Sequence, residues 1–260
     1  MSYGINIPTY DLSGKVAIIT GSTRGIGNAI AKVFAANGCS VVITGRKQEA
    51  CDKAAAEIVA AGGKAIGIAT EVTNREHREN LIRKTVETFG KVDILVNNAG
   101  VGGKESPILV IEESEWDETI DADLKSLYFL SKLFAAQVKE QGTGGRIVNM
   151  ASAAGIKSAK YTSVYACAKA AVIHLTKIMA NEWARYGINV NAIAPGYVVT
   201  DMTRDVMANE KNANVVMKMI AMRRFGEVDD IAGVALFLCT EASKYITGVL
   251  IPVDGGMTIG

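Results

Sequence analysis

Tyr165 and Lys169 stand four residues apart and follow Ser152, and these are the side chains whose types and spacing could do chemistry. On a helix over 163–180, positions i and i+4 share a face, so the Lys169 ammonium would lie beside the Tyr165 phenol. A free phenol titrates near pH 10 and is a poor proton carrier at neutral pH. A neighbouring positive charge favours the phenolate, each unit of downward shift corresponding to about 1.4 kcal/mol. A tyrosine tuned in that way could give a proton to a substrate oxygen or take one from it. That is carbonyl and alcohol chemistry, and it calls for a hydride carrier.

The chain has a place for such a carrier near its start. Val16-Ala-Ile-Ile-Thr20 runs into the turn Gly21, Ser22, Thr23, Arg24, Gly25, Ile26, Gly27, and a helical pattern follows. Strand, glycine turn and helix N-terminus together hold a pyrophosphate, because glycines let the backbone approach and free N–H groups face the anion. A glycine triplet alone is weak evidence; after the first strand of an alternating chain it is strong. A site for NAD(H) ordinarily ends its second strand with an acid that holds the ribose hydroxyls. Here that strand ends Thr44-Gly45-Arg46-Lys47, with no acid before Glu49. Arg46 and Arg24 could instead grip a 2′-phosphate, so the expected cofactor is NADP(H) rather than NAD(H). The competing reading is two solvated surface arginines.

The elements that must position these groups alternate from end to end. Strands are expected at Val16–Thr20, Ser40–Thr44, Ala65–Ile68, Ile94–Asn97, Ile147–Met150, Asn189–Ile193 and Val249–Val253. Most are continuous apolar runs, as parallel strands covered on both faces require. Helices are expected at Gly25–Asn37, Gln48–Ala61, Arg75–Phe89, Glu115–Gln141, Ser163–Tyr186 and Asp229–Leu238, several ending at glycine: Gly38, Gly62, Gly90 and Gly187. The pattern predicts one α/β domain over 11–260, a doubly wound Rossmann-type fold with a seven-stranded parallel sheet, after a flexible tail over 1–10. The windows Leu124–Phe134 and Ala166–Met179 are apolar nearly all round and must be covered, either by a second subunit or by the chain itself.

Charge and composition exclude several classes. A formal net charge of +1, without a polybasic run, gives no electrostatic case for nucleic acid or an anionic membrane. No apolar run reaches the length of a membrane span, and the N-terminus has neither a basic start nor an apolar core. Cys39, Cys51, Cys167 and Cys239 are scattered and read as reduced thiols, mostly buried, of a cytoplasmic protein. His77 and His174 have no ligand-spaced neighbours, so no metal is expected; His77 reads as a solvated helix residue and His174 as a packed one.

Taken jointly, the motifs resemble the short-chain dehydrogenase/reductase family over Asp11–Gly260. They are Thr20–Gly27, Asn97-Asn98-Ala99-Gly100, Ser152, Tyr165-x-x-x-Lys169, Pro195-Gly196 and Val253-Asp254-Gly255-Gly256. The nearest branch in appearance holds 3-oxoacyl carrier-protein reductases, gluconate 5-dehydrogenases and bacterial hydroxysteroid dehydrogenases. The resemblance implies Tyr165 as general acid/base, with Lys169 lowering its pKa and binding the nicotinamide ribose. Ser152 would hydrogen-bond the substrate oxygen, although it could equally cap a strand end. Asn98, Ala99 and Gly100 would line the cofactor groove, with Glu71 and Val72 at the adenine and Ile193, Pro195, Gly196, Val198 and Thr200 near the nicotinamide. Asn97 would tie strands together. Family members often form homotetramers, which favours a tetramer over a dimer here.

Two positions depart from the family pattern. Asp123 stands where the family has an Asn thought to hold a water that links the lysine to solvent. An acid there adds a negative charge near Lys169 and offsets part of its effect on Tyr165. Glu71 replaces the family's Asp at the adenine. The substrate is less legible, beyond a small ketone or secondary alcohol. Residues Gln141–Gly145 are not basic, as a carrier-protein reductase would have them, and Arg185 stands one place from the other expected contact. Lys104 could meet the carboxylate of a sugar acid. The segment 200–223 reads as a substrate lid carrying Met202, Met207, Met217, Met219 and Met222, expected chiefly to pack it onto the body. A non-catalytic dinucleotide sensor is the remaining rival, against which both Tyr165 and Lys169 speak.

Overall fold

The computed structural model describes residues 9–259, so most of the tail expected over 1–10 lies outside the described residues. Strands β1 (Val16–Ile19), β2 (Ser40–Gly45), β3 (Lys64–Ala69), β4 (Ile94–Asn97), β5 (Gly145–Met150), β6 (Ile188–Pro195) and β7 (Leu250–Val253) form one sheet. Its order is β3-β2-β1-β4-β5-β6-β7, with every described pairing parallel. Each expected strand is present within a few residues of its expected bounds. The helices are α1 (Gly25–Ala36), α2 (Gln48–Ala60), α3 (Arg75–Phe89), α4 (Glu113–Ile120), α5 (Ser126–Gln141), α6 (Ser163–Trp183), α7 (Arg204–Ala208), α8 (Glu210–Met219) and α9 (Val228–Cys239).

The continuous apolar strands feed two cores. Ala17 and Ile19 of β1 pack with residues of α1, α2 and α9 on one face, while Ile18 packs with residues of α3, α5 and α6 on the other. β4 splits likewise, Ile94 and Val96 to the first core and Leu95 to the second. Side chains alternate across a pleat, so a strand covered on both faces reads as a nearly continuous apolar run. The four glycines expected to end helices all have positive φ, from 71° at Gly187 to 88° at Gly62.

Two helical regions differ from expectation. The single helix expected over Glu115–Gln141 is interrupted by a π-helical turn at Asp121–Lys125, which separates α4 from α5. The wider turn takes in one extra residue per turn, and the Ser126 hydroxyl donates 2.6 Å to the Ala122 carbonyl there. Helices α7 and α8 lie inside the segment 200–223, where no helical window is legible. α8 is half polar and buries only Ala213 and Val216; its start is marked by Asn209, whose side chain accepts from the Asn212 N–H at 3.1 Å. The methionines of this segment do not chiefly pack it down, since Met202, Met219 and Met222 are exposed. Of the two apolar windows, Leu127, Leu130 and Phe134 are buried by the chain itself, whereas Tyr128, Phe129 and Ile178 remain exposed. Among the described residues no helix is long and apolar enough to cross a membrane.

Candidate active site

In an open parallel sheet the crevice at the carboxyl ends of the strands opens where the strand order reverses. Here that point is between β1 and β4. The glycine turn rises from β1 directly beside the loop that leaves β4. A Cβ on Gly27 would lie 2.5 Å from Asn98 Nδ2 and 2.6 Å from the Gly21 carbonyl, and one on Gly21 3.0 Å from Ala99 Cα, with φ at Gly21 of +63°. Only glycine fits that closeness, which packs the turn and the start of α1 against the loop after β4. α1 begins at Arg24 with no side-chain cap and no acid in its first turn, so its leading N–H groups are left for an anion. These residues fit a dinucleotide pyrophosphate.

Several expected cofactor residues build the cradle from below. The Ser22 hydroxyl is buried, donating to the Ile19 carbonyl at 2.6 Å and accepting from the Thr44 N–H at 3.0 Å. Asn98 spends its amide on the Thr20 carbonyl at 2.8 Å and the Gly21 carbonyl at 3.1 Å. The Thr20 hydroxyl accepts the N–H groups of Asn98 and Ala99, both at 2.9 Å. Asn97 donates 2.9 Å to Asn149 Oδ1 and 2.9 Å to the Ser131 hydroxyl, tying β4 to β5 and to α5. Thr23 and Ile26 are half-buried along the turn, and Gly100 stands over the Asp123 carboxylate.

At the far end of the crevice, β5 delivers Ser152 and α6 delivers Tyr165 and Lys169. The Ser152 hydroxyl accepts from the Ala154 N–H at 3.1 Å and caps a short turn, which leaves its own proton to donate. The expected i, i+4 pairing holds: Lys169 Nζ lies 5.5 Å from the centre of the Tyr165 ring. Lys169 is only 5% exposed and donates to the Met150 carbonyl at 3.2 Å. Asp123, 1% exposed in the π-helical turn, places Oδ2 3.1 Å from Lys169 Nζ. The same Oδ2 makes no hydrogen bond of good alignment, while Oδ1 accepts from the Val101 N–H at 2.6 Å. Burial pushes the Lys169 proton affinity down, but the Asp123 carboxylate and Tyr165 outweigh it, so its pKa stands above the usual lysine value. The site therefore sets an ammonium, paired with a buried carboxylate, beside a phenol.

The expected phosphate residues separate. Arg46 is exposed at the end of β2 and, among the described residues, has no ion pair. Arg24 instead reaches Asp201, with Nη1 2.8 Å from Oδ2. Glu71 is half-buried; its Oε1 accepts from the Thr73 hydroxyl at 3.3 Å, and the Val72 carbonyl accepts from Arg78 at 2.6 Å. His77 is exposed, yet its Nδ1 accepts the Glu71 N–H at 3.1 Å. After β6, Gly196 packs on Asp254, Val198 is buried with its backbone bridged to Gly226, and Thr200 stands beside Gly25. Ile193 is buried and Pro195 half-buried at the end of β6. Lys104 is engaged by Glu115 at 2.6 Å rather than free for a carboxylate. Sequence reasoning missed the Met150 carbonyl and Asp201; the first carries no side-chain signal, and the second is 177 residues from its partner.

Fold and site together define an α/β oxidoreductase built on a dinucleotide-binding sheet. The family model described as enoyl-(acyl carrier protein) reductase matches residues 21–258. The chain is 38% identical over 250 residues to 2-dehydro-3-deoxy-D-gluconate 5-dehydrogenase of Dickeya dadantii (strain 3937), covering 95% of this chain and 97% of that protein. It is 38% identical over 250 residues to 3-oxoacyl-[acyl-carrier-protein] reductase of Synechocystis sp. (strain ATCC 27184 / PCC 6803 / Kazusa), covering 95% and 98%. Among solved structures, gluconate 5-dehydrogenase of Burkholderia cenocepacia J2315, in complex with NADP and tartrate, superposes with a TM-score of 0.93 at 32% identity, covering 96% of this chain and 98% of that one. The chain belongs to the short-chain dehydrogenase/reductase family.

Proposed function

We propose that the protein transfers a hydride between NADP(H) and the carbon of a small ketone or secondary alcohol whose oxygen sits between Ser152 and Tyr165. The observation that carries this reading is the buried Lys169 ammonium beside the Tyr165 ring, together with a Ser152 hydroxyl whose proton is left to donate. The nicotinamide, when bound, gives or accepts the hydride. Ser152 donates a hydrogen bond to the substrate oxygen, Tyr165 passes the proton, and the charge on Lys169 favours the phenolate form that results. Lys169 also faces the nicotinamide ribose in this reading. Arg46 and Arg24 take the 2′-phosphate, Glu71 and Val72 border the adenine, and Ile193, Pro195, Gly196 and Thr200 border the nicotinamide. Residues 11–260 form the catalytic domain, with 200–223 as its lid.

A titration followed by nicotinamide fluorescence tests the cofactor. The parent binds NADPH more tightly than NADH, and Arg46→Ala weakens NADPH by about tenfold while leaving NADH unchanged, as loss of a charge-assisted contact to phosphate requires. Equal effects on the two nucleotides would remove Arg46 from the phosphate.

The narrower substrate reading is a sugar acid, since the relatives named above include two gluconate-type dehydrogenases. An acidic carrier protein fits this surface less well. Arg146 is largely covered, 3.4 Å from Glu241, and Gln141 hydrogen-bonds Val92 rather than facing outward as a basic residue would. Turnover with gluconate and its keto acids, 3-oxoacyl thioesters and steroid ketones separates these classes. The exposed Tyr128, Phe129 and Ile178 on α5 and α6 support a homo-oligomer, with a tetramer expected by light scattering.

Asp123 also shapes the pH dependence. Its carboxylate neutralises part of the Lys169 field at the phenol, so Asp123→Asn leaves the ammonium uncompensated and favours the phenolate more strongly. The pH–rate profile for alcohol oxidation in Asp123→Asn is expected on the acid side of the parent profile. Superimposable profiles would show that Asp123 exerts no field on the reacting oxygen.

A further inference from the structure

The segment after β6 reaches back across the crevice that the cofactor must enter. Arg24, in the turn after β1, donates to Asp201 at 2.8 Å, and Arg204 pairs with the other Asp201 oxygen. The next residue, Met202, lies over the loop that follows β4: a Cβ on Gly102 would be 3.6 Å from its Cγ and Sδ. Residues 201 and 202 thus touch both banks of the crevice between β1 and β4. A cleft of about 630 Å³ between the glycine turn and this segment is lined by Arg24, Thr200, Asp201, Arg204 and Met207.

The base of the segment is held independently by backbone contacts. Val199 donates to the Gly226 carbonyl at 2.8 Å, and the Thr203 hydroxyl donates to the Val198 carbonyl at 2.5 Å. The Asp201 carboxylate is the charged link between this anchored segment and the nucleotide turn. Its ion pair with Arg24 is exposed, 75% on the arginine side chain and 37% on the aspartate. Such a pair is weak and readily exchanged. A dianionic phosphate offers the same guanidinium a stronger, bidentate partner.

We propose that Asp201 is a specificity-determining residue for the cofactor: it occupies Arg24 in competition with the 2′-phosphate, and binding of that phosphate releases residues 201–202 from the glycine turn. The proposal rests on the reading that Arg24 serves the 2′-phosphate. When Arg24 turns to the phosphate, Asp201 keeps its pairing with Arg204, so the exchange leaves no carboxylate stranded. NADH, lacking the phosphate, leaves the Arg24–Asp201 pair in place. The carboxylate therefore weakens NADPH binding selectively and ties the position of the segment to which nucleotide is bound.

The test is Asp201→Asn, which keeps the shape and removes the charge, titrated with NADPH and with NADH by nicotinamide fluorescence at low ionic strength. The dissociation constant for NADPH is expected to fall about two- to fivefold with NADH unchanged, and the gain to shrink at high salt. Hydrogen exchange of residues 200–204, without substrate, supplies an independent readout. In the parent, exchange there rises on addition of 2′,5′-ADP; in Asp201→Asn it is already high. Unchanged or weaker NADPH binding, an equal gain for NADH, or exchange insensitive to 2′,5′-ADP would overturn the proposal. Arg24→Ala separates the two levels. If it leaves NADPH affinity intact, the phosphate role of Arg24 falls and the competition with it. If it weakens NADPH while Asp201→Asn changes nothing, only the competition falls.

Discussion

Tyr165→Phe should lower turnover by roughly two to four orders of magnitude while leaving NADPH affinity and thermal stability close to the parent values. The geometry separates these effects. The half-buried Tyr165 hydroxyl has no hydrogen bond within the described protein, so removing its oxygen leaves no native partner unsatisfied. The ring stays, and so does its contact with the Lys169 ammonium at 5.5 Å. What disappears is the one group on this face that can exchange a proton with a substrate oxygen. Ser152 can still donate a hydrogen bond, but a serine hydroxyl cannot carry the proton away at neutral pH. Steady-state turnover, a fluorescence titration with NADPH and a melting curve check the three parts together. Parent-like turnover would move the acid/base role to another residue; loss of nucleotide binding would mean that the phenol serves the cofactor rather than the substrate.

Much of this site is legible in the sequence because local spacing determines it. The i, i+4 relation of Tyr165 and Lys169 needs only a helix, and the glycine turn needs only to follow the first strand. The sheet is legible for a similar reason: strands buried on both faces must be apolar at consecutive positions, as β1 and β4 are. What the sequence hides is set by contact between distant segments or by backbone. The Lys169–Asp123 and Arg24–Asp201 pairs join residues 46 and 177 positions apart, and no periodicity announces either. The Met150 carbonyl carries no side-chain signature. The π-helical turn that lets Asp123 face Lys169 breaks the 3.6-residue period for a single turn, too briefly to show in an apolar pattern. Asp123 is visible in the sequence only as a departure from the resemblance, which places its charge near Lys169; the direct 3.1 Å pairing and the turn that makes it come from the fold.

That pair makes the second large effect one of stability as well as chemistry. Lys169→Met is expected to abolish turnover and to destabilise the fold by about 3–5 kcal/mol, because it strands the Asp123 carboxylate in the interior. With the ammonium gone, Oδ1 retains the Val101 N–H but Oδ2 faces no cation at all. The double variant Lys169→Met/Asp123→Asn removes the stranded charge and keeps an acceptor for Val101. It should recover most of the lost stability and none of the lost turnover. Such separate behaviour would show that the ion pair is a structural unit whose lysine also serves the reaction. The pH dependence follows from the raised Lys169 proton affinity. A group whose pKa rises on folding contributes stability that is fully present below its unfolded value, near 10.4 for lysine, and lost as pH climbs through the higher folded value. The stability difference between parent and double variant should therefore stay constant through the neutral range and narrow only above about pH 10.4. Denaturant titrations at pH 7, 9 and 11 measure it. A gap that closes between pH 7 and 9 would mean that Lys169 loses its proton within the working range, and the ammonium invoked for Tyr165 would have to be abandoned.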